Sequence, residues 1–164
     1  MQMIGQIFGI IAFGIAFVVY QMKDKKSLLI AQTALVTVMS IHYFCLGAYP
    51  AMAMNVFGLI RNFIYYRKDI FKWKYTPLVV SLLIMMVGIF TSSGVWSILV
   101  VAGLTINSYC LSFENPQHFR ISILITSPLV LIYDIIVFSL GGILLEGITI
   151  ISAIIGIVRN AKNQ

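Results

Sequence analysis

Apolar residues run almost unbroken through seven stretches of the chain, residues 4–20, 28–46, 51–66, 77–90, 95–111, 121–138 and 141–158. Each is about 14–19 residues long, which at 1.5 Å per residue is roughly the reach needed to cross the hydrocarbon core of a bilayer. In hydrocarbon the backbone must satisfy its own polar groups, so continuous apolar runs become helices. A transmembrane barrel would alternate apolar and polar residues along short strands instead. The pattern therefore predicts an all-α integral membrane protein with seven transmembrane helices. Thr91-Ser92-Ser93-Gly94 turns the fourth helix into the fifth, and the uncharged Leu46-Gly47-Ala48-Tyr49-Pro50 turns the second into the third.

Composition strengthens this reading. The 164 residues are 60% hydrophobic and 10% charged, with a mean hydropathy of +1.00, too few polar groups to coat a soluble domain. Loops of about four to nine residues leave no room for a soluble module, so residues 1–164 form a single membrane domain. The net charge of +6 would suggest nucleic acid in a soluble protein. Here its placement matters more. Lys23, Lys25 and Lys26 fall in the first loop, Arg67, Lys68, Lys72 and Lys74 in the third, Arg120 in the fifth (residues 113–120), and Arg159 and Lys162 in the tail. The even loops and the N-terminus carry neither Lys nor Arg. By the positive-inside rule the N-terminus is outside and the C-terminus cytoplasmic, and no nucleic acid partner is expected. The first helix lacks a basic leader region and a small-residue cleavage site, so it reads as a retained helix. Cys45 and Cys110 fall near opposite faces, out of disulfide reach, and show no metal spacing.

Helices one to three follow a pattern of helix, basic loop, helix, uncharged turn, helix, and helices five to seven repeat it. Ninety residues separate Tyr43 from Tyr133, and 91 separate Asn55 from Glu146. An odd helix between two three-helix units gives both the same orientation, which predicts two parallel three-helix repeats joined by a linker helix, 3+1+3. The first unit spans residues 1–68, the linker 77–90 and the second unit 95–160.

This arrangement resembles the SWEET/PQ-loop transporter class. The stretch LITSPLVLIYDIIVFSLGGILLEGITIISAIIGIVRN and the loop Asp24-Lys25-Lys26-Ser27 more closely resemble the bacterial inner-membrane YgjV family, over nearly the whole chain. The resemblance implies the bacterial inner membrane and, through the SWEET class, passage of a small solute between the triplets. The class's hinge Pro-Gln is replaced by Phe17-Val18 in the first copy and by about Asn107-Ser108 in the second, and the literal Pro116-Gln117 falls in a loop. The class often places an Asn on each third helix. Asn55 fits that place, and Glu146 replaces it in the second copy.

Embedded polar residues are the candidate chemistry. Charged side chains at mid-membrane are costly, so Glu146 and Asp134 are expected to face the bundle interior or water. His42 and Asn55 lie at comparable depth; each is a candidate for the path and equally a simple interhelical hydrogen-bonding group. His42 facing a carboxylate would allow proton coupling. Tyr43 and Tyr133 complete the expected path. Arg61 is expected to snorkel to the headgroups, and Pro128 to bend the sixth helix as a hinge. Phe63, Tyr65, Tyr66, Phe71 and Trp73 read as an interfacial aromatic belt, and the GxxxG-like pairs Gly5/Gly9 and Gly142/Gly147 as close packing. No phosphate loop, metal spacing or nucleophile–base pair is present, so neither an enzyme nor a cofactor is expected. The leading expectation is a small-solute permease in the lipid bilayer, with homo-oligomerisation open. The alternative is a non-transporting membrane partner or receptor-like module.

Overall fold

The computed structural model describes residues 2–47, 49–68, 70–71, 73–92, 94–136 and 140–161. Those residues form seven helices and no strand: α1 (Gln2–Val19), α2 (Lys25–Leu46), α3 (Tyr49–Tyr66), α4 (Thr76–Thr91), α5 (Ser97–Cys110), α6 (Pro116–Ile136) and α7 (Leu140–Ala161). Neighbours in sequence are neighbours in space. α2 packs on both α1 and α3, α6 on both α5 and α7, α4 on α5 and more slightly on α3, and α7 returns to α1. The helices thus close a ring.

Polarity is distributed as a lipid environment requires. Large apolar residues such as Ile10, Phe90, Val95 and Ile98 point outward, at 73%, 84%, 85% and 67% exposure. Inside lie small and polar groups, with Ala12, Ala16, Ser108 and Ser152 fully buried. Water would favour the opposite arrangement. Three spans, Lys25–Cys45, Pro116–Ile136 and Gly142–Arg159, are long and apolar enough to cross a membrane, while Ile7–Val19, Thr76–Thr91 and Ser97–Cys110 are apolar but shorter.

Local chemistry sets the helix ends. The Asp24 carboxylate caps α2 by accepting from the Ser27 N–H at 2.8 Å, and Gly47 ends the helix at φ 73°, a conformation that costs glycine little. Ala48 lies outside the described residues, as do Lys72, Ser93 and Lys162. Lys25 and Lys26, expected in the first loop, begin α2, and the largest difference from the sequence expectation is at the start of α6. Residues 116–120 belong to α6, because Pro116 needs no hydrogen-bonded N–H at the first helical position and the Asn115 side chain accepts from the Gln117 N–H at 2.9 Å. Pro116-Gln117 and Arg120 are therefore helical and not in a loop. α6 then runs on without a break through Pro128. Cys45 and Cys110 are both free thiols.

A set of reciprocal bonds ties the two halves together at the end carrying the basic loops. Arg120, 1% exposed, donates from Nε to the Tyr20 carbonyl at 2.8 Å and from Nη2 to the Met22 carbonyl, capping the end of α1. Lys25, at the start of α2, donates to the Leu111 carbonyl at the end of α5. Each cation thus meets the negative end of a helix in the other half. One turn deeper, the Ser152 hydroxyl of α7 donates to the Phe17 carbonyl of α1, and the Tyr65 hydroxyl of α3 donates to the Ser108 carbonyl of α5. Gly156 makes room for the first of these contacts, because a β-carbon there would press on the Tyr20 carbonyl and on Arg120. Outside the helices, Lys68 bridges to Glu114.

Candidate functional site

Inside the ring lies a cavity of about 470 Å³, within the usual range for a small-molecule site. Helical spacing determines what lines it. On α2 the face runs Gln32, Val36, Met39, Tyr43, and on α7 it runs Gly142, Leu145, Glu146, Thr149, each a set of three- and four-residue steps. Asn55 and Arg61 enter from α3, and Tyr133 and Asp134 from α6.

Five of the six path residues expected from the sequence therefore share one cavity: Asn55, Glu146, Asp134, Tyr43 and Tyr133. The carboxylates come together. Asp134 is 8% exposed, and its carboxyl group occupies the space that a β-carbon at residue 142 would need, so Gly142 admits it. Glu146 is partly buried, accepts from the Ser127 hydroxyl and lies in the field of Asp134. Tyr43 lies within electrostatic reach of both carboxylates and of Tyr133.

His42 is turned elsewhere. Its Nδ1 donates to the Gly5 carbonyl at 2.8 Å, its ring stands edge-on to Tyr43 at 5.1 Å, and Gly9 lies beneath it, where a β-carbon would come within 3.2 Å. It packs α2 onto α1 and is not among the cavity's lining residues. Gly9 makes the room for that ring, and Gly5 supplies the carbonyl that accepts from it. Pro128 is likewise absent from the lining, although the adjacent Ser127 takes part.

The structure also corrects an expectation. Arg61 does not snorkel. It is 6% exposed, lines the cavity and donates from Nε and Nη2 to the Asn62 Oδ1 at 3.1 and 2.9 Å. Asn62 is held in turn by its Nδ2 donating to the Thr33 hydroxyl at 3.3 Å. Among the described residues no carboxylate pairs with Arg61. Three further residues were not singled out from the sequence. Tyr20 hydrogen-bonds Thr149 and feels both Glu146 and Arg61, and Gln32 lines the cavity with its Oε1 unpartnered among the described residues. The apolar spacing of α2 and α7 would have reached Gln32 and Thr149. For Arg61 the available signal was depth, since it precedes the end of α3 by five residues, roughly 8 Å.

Lipid-facing apolar surface around a polar interior defines an integral membrane protein. The chain belongs to the Imp-YgjV family of bacterial inner membrane proteins, whose model matches residues 3–164, and the protein is accordingly a multi-pass protein of that membrane. No curated protein and no solved structure matches the chain.

Proposed function

We propose that this protein is a small-solute permease of two parallel three-helix units, α1–α3 and α5–α7, joined by α4, with its N-terminus outside. The observation that carries this reading is the cavity, set within the ring and lined with polar side chains from both halves. The reciprocal bonds favour the repeat: Phe17 and Ser108, whose carbonyls are each bonded from the opposite half, stand 91 residues apart, the offset that relates Asn55 to Glu146. By the positive-inside rule the basic end is cytoplasmic, so these bonds would seal the passage on that side. Transport would then rock one unit against the other. The site binds and passes a solute; it is not catalytic.

A second reading has its own support. The carbonyls of Phe17 and Ser108, at the places where the SWEET class has its hinge, are pinned by Ser152 and Tyr65. That favours a bundle that stays closed and serves as a membrane partner or receptor-like module.

A thermal-shift screen of purified protein against small metabolites, followed by uptake into proteoliposomes, separates the two. A ligand at about 100 times its Kd stabilises the fold by roughly 2.7 kcal/mol. The permease reading expects a ligand that shifts wild type, is taken up, and loses both effects in Glu146→Gln. No shift in wild type, together with Glu146→Gln at least as stable, would favour the closed module.

A further inference from the structure

Arg61 is a buried cation with no anion to pair with among the described residues. Its Nε and Nη2 share one neutral acceptor, the Asn62 amide oxygen. A guanidinium has five N–H donors in a planar fork, so this bond takes one side of the fork and leaves the Nη1–Nη2 edge over. Gly58, another lining residue, keeps the space beside Nη2 clear, since a β-carbon there would lie 4.0 Å from it. Within electrostatic reach of Arg61 lie a second cation, Lys25, and the phenols of Tyr20 and Tyr65. The carboxylates of the cavity stand toward its other end. Arg61 is roughly 8 Å from the basic end of α3, whereas Glu146 is roughly 22 Å from that end of α7 and Asp134 roughly 27 Å from that end of α6. A guanidinium stays charged in almost any surroundings, and its burial without a counter-charge is costly. A bound anion offsets that cost.

Gln32 is an independent sign of a ligand at the same level. It is 8% exposed, lines the cavity, and its Oε1 has no partner among the described residues. The 3.3 Å bond from Asn62 to Thr33 joins the chain neighbours of Arg61 and Gln32, so α3 and α2 present the two side chains at one depth. A buried amide oxygen needs a donor, which a hydroxyl on the ligand supplies.

We propose that the basic end of the cavity binds a small organic anion that carries a hydroxyl group, the chemistry of a hydroxycarboxylate. Its carboxylate lies on the open edge of Arg61 and its hydroxyl donates to Gln32 Oε1. The planar fork of a guanidinium matches the two oxygens of a carboxylate, and those of a phosphate, better than a spherical halide. This inference rests on the permease reading of the same cavity and names its substrate class.

The test is calorimetric titration of the full chain in lipid nanodiscs with lactate, lactamide, propionate, inorganic phosphate and glucose. Lactate should bind at least about tenfold more tightly than lactamide, its neutral counterpart, because lactamide leaves Arg61 without an anion. It should also bind more tightly than propionate, which lacks the hydroxyl. Arg61→Met should abolish the preference for lactate over lactamide, and Arg61→Lys, which keeps the charge, should retain part of it. Gln32→Leu, whose lost Oε1 bonds nothing among the described residues, should erase the advantage over propionate and keep both acids ahead of lactamide. It carries the test where Arg61→Met does not fold. Phosphate binding more tightly than lactate keeps the anion on Arg61 and overturns the carboxylate. Lactamide binding as tightly as lactate, or glucose binding in place of the acids, overturns the anion and leaves a permease. Lactate that binds through Arg61 and is not taken up into proteoliposomes keeps the anion site and removes the permease. If neither these probes nor a broad metabolite screen gives binding, the two readings fall together.

Discussion

At the scale of single residues, exposed acids at the basic end are held ionised by their neighbours. The Ser27 N–H holds the Asp24 carboxyl below its ordinary value of 3.8, and a hydrogen bond from Lys68 holds that of Glu114 below 4.5. In both, the folded value is the lower one, so the stabilisation is complete above the ordinary value and fades as pH falls through the lowered value. Acidification from about pH 5 to about pH 3 should lower the melting temperature, and Asp24→Asn with Glu114→Gln should flatten that slope. Both groups are exposed, so we expect less than ~1 kcal/mol from each at neutral pH. Two glycines of α7 provide a sharper contrast. In Gly142→Ala the new methyl would displace the Asp134 carboxyl group, while at Gly147 nothing lies within 4 Å. Denaturation in mild detergent should show Gly142→Ala losing about 1–3 kcal/mol. Gly147→Ala should gain up to ~1 kcal/mol from helix propensity.

At the scale of elements, Arg120 is the residue on which the most backbone depends. Its removal leaves the carbonyls of Tyr20 and Met22 without their donors at the end of α1. Arg120→Ala should cost about 2–4 kcal/mol, read as a fall of several degrees in the melting temperature. Gly156→Ala should have a similar effect through the same contact. All seven helices were legible from continuous apolar runs, since hydrocarbon imposes helix on any such run. The start of α6 was not. Asn115, Pro116, Gln117 and Arg120 look like loop residues until the Asn115 side chain caps Gln117, Pro116 takes a first helical position that needs no donor, and Arg120 meets a distant helix end. The site divided in the same way. Asp134 and Glu146 stood out because ionisable groups are rare in such runs, whereas Arg61 resembled an interfacial anchor. His42 turned toward α1 because Gly9 leaves space for its ring and the Gly5 carbonyl accepts from it, a preference that spacing on α2 does not reveal.

At the scale of the whole molecule, the reciprocal bonds imply that the halves separate at the basic end whenever a passage opens there. With Cys45 and Cys110 replaced by serine, Lys68→Cys and Glu114→Cys can be joined by a short bifunctional reagent, since the native side chains are in contact. Cross-linking should stop uptake into proteoliposomes, and a cleavable linker should restore it on reduction. Labelling of single cysteines by a membrane-impermeant reagent tests the orientation. Lys26→Cys and Lys74→Cys should react only from the cytoplasmic side, and Gly94→Cys only from outside. The reverse pattern would invert the proposed topology.

The reciprocity also bears on how the protein is made. Arg120 follows Tyr20 by 100 residues, and at 5–20 residues per second a ribosome needs about 5–20 s to supply it. Throughout that interval the Tyr20 and Met22 carbonyls lack the donor that the folded protein gives them. Neither half is complete without the other, so two separately translated halves, residues 1–75 and 76–164, should survive together in a cell and be degraded when made alone.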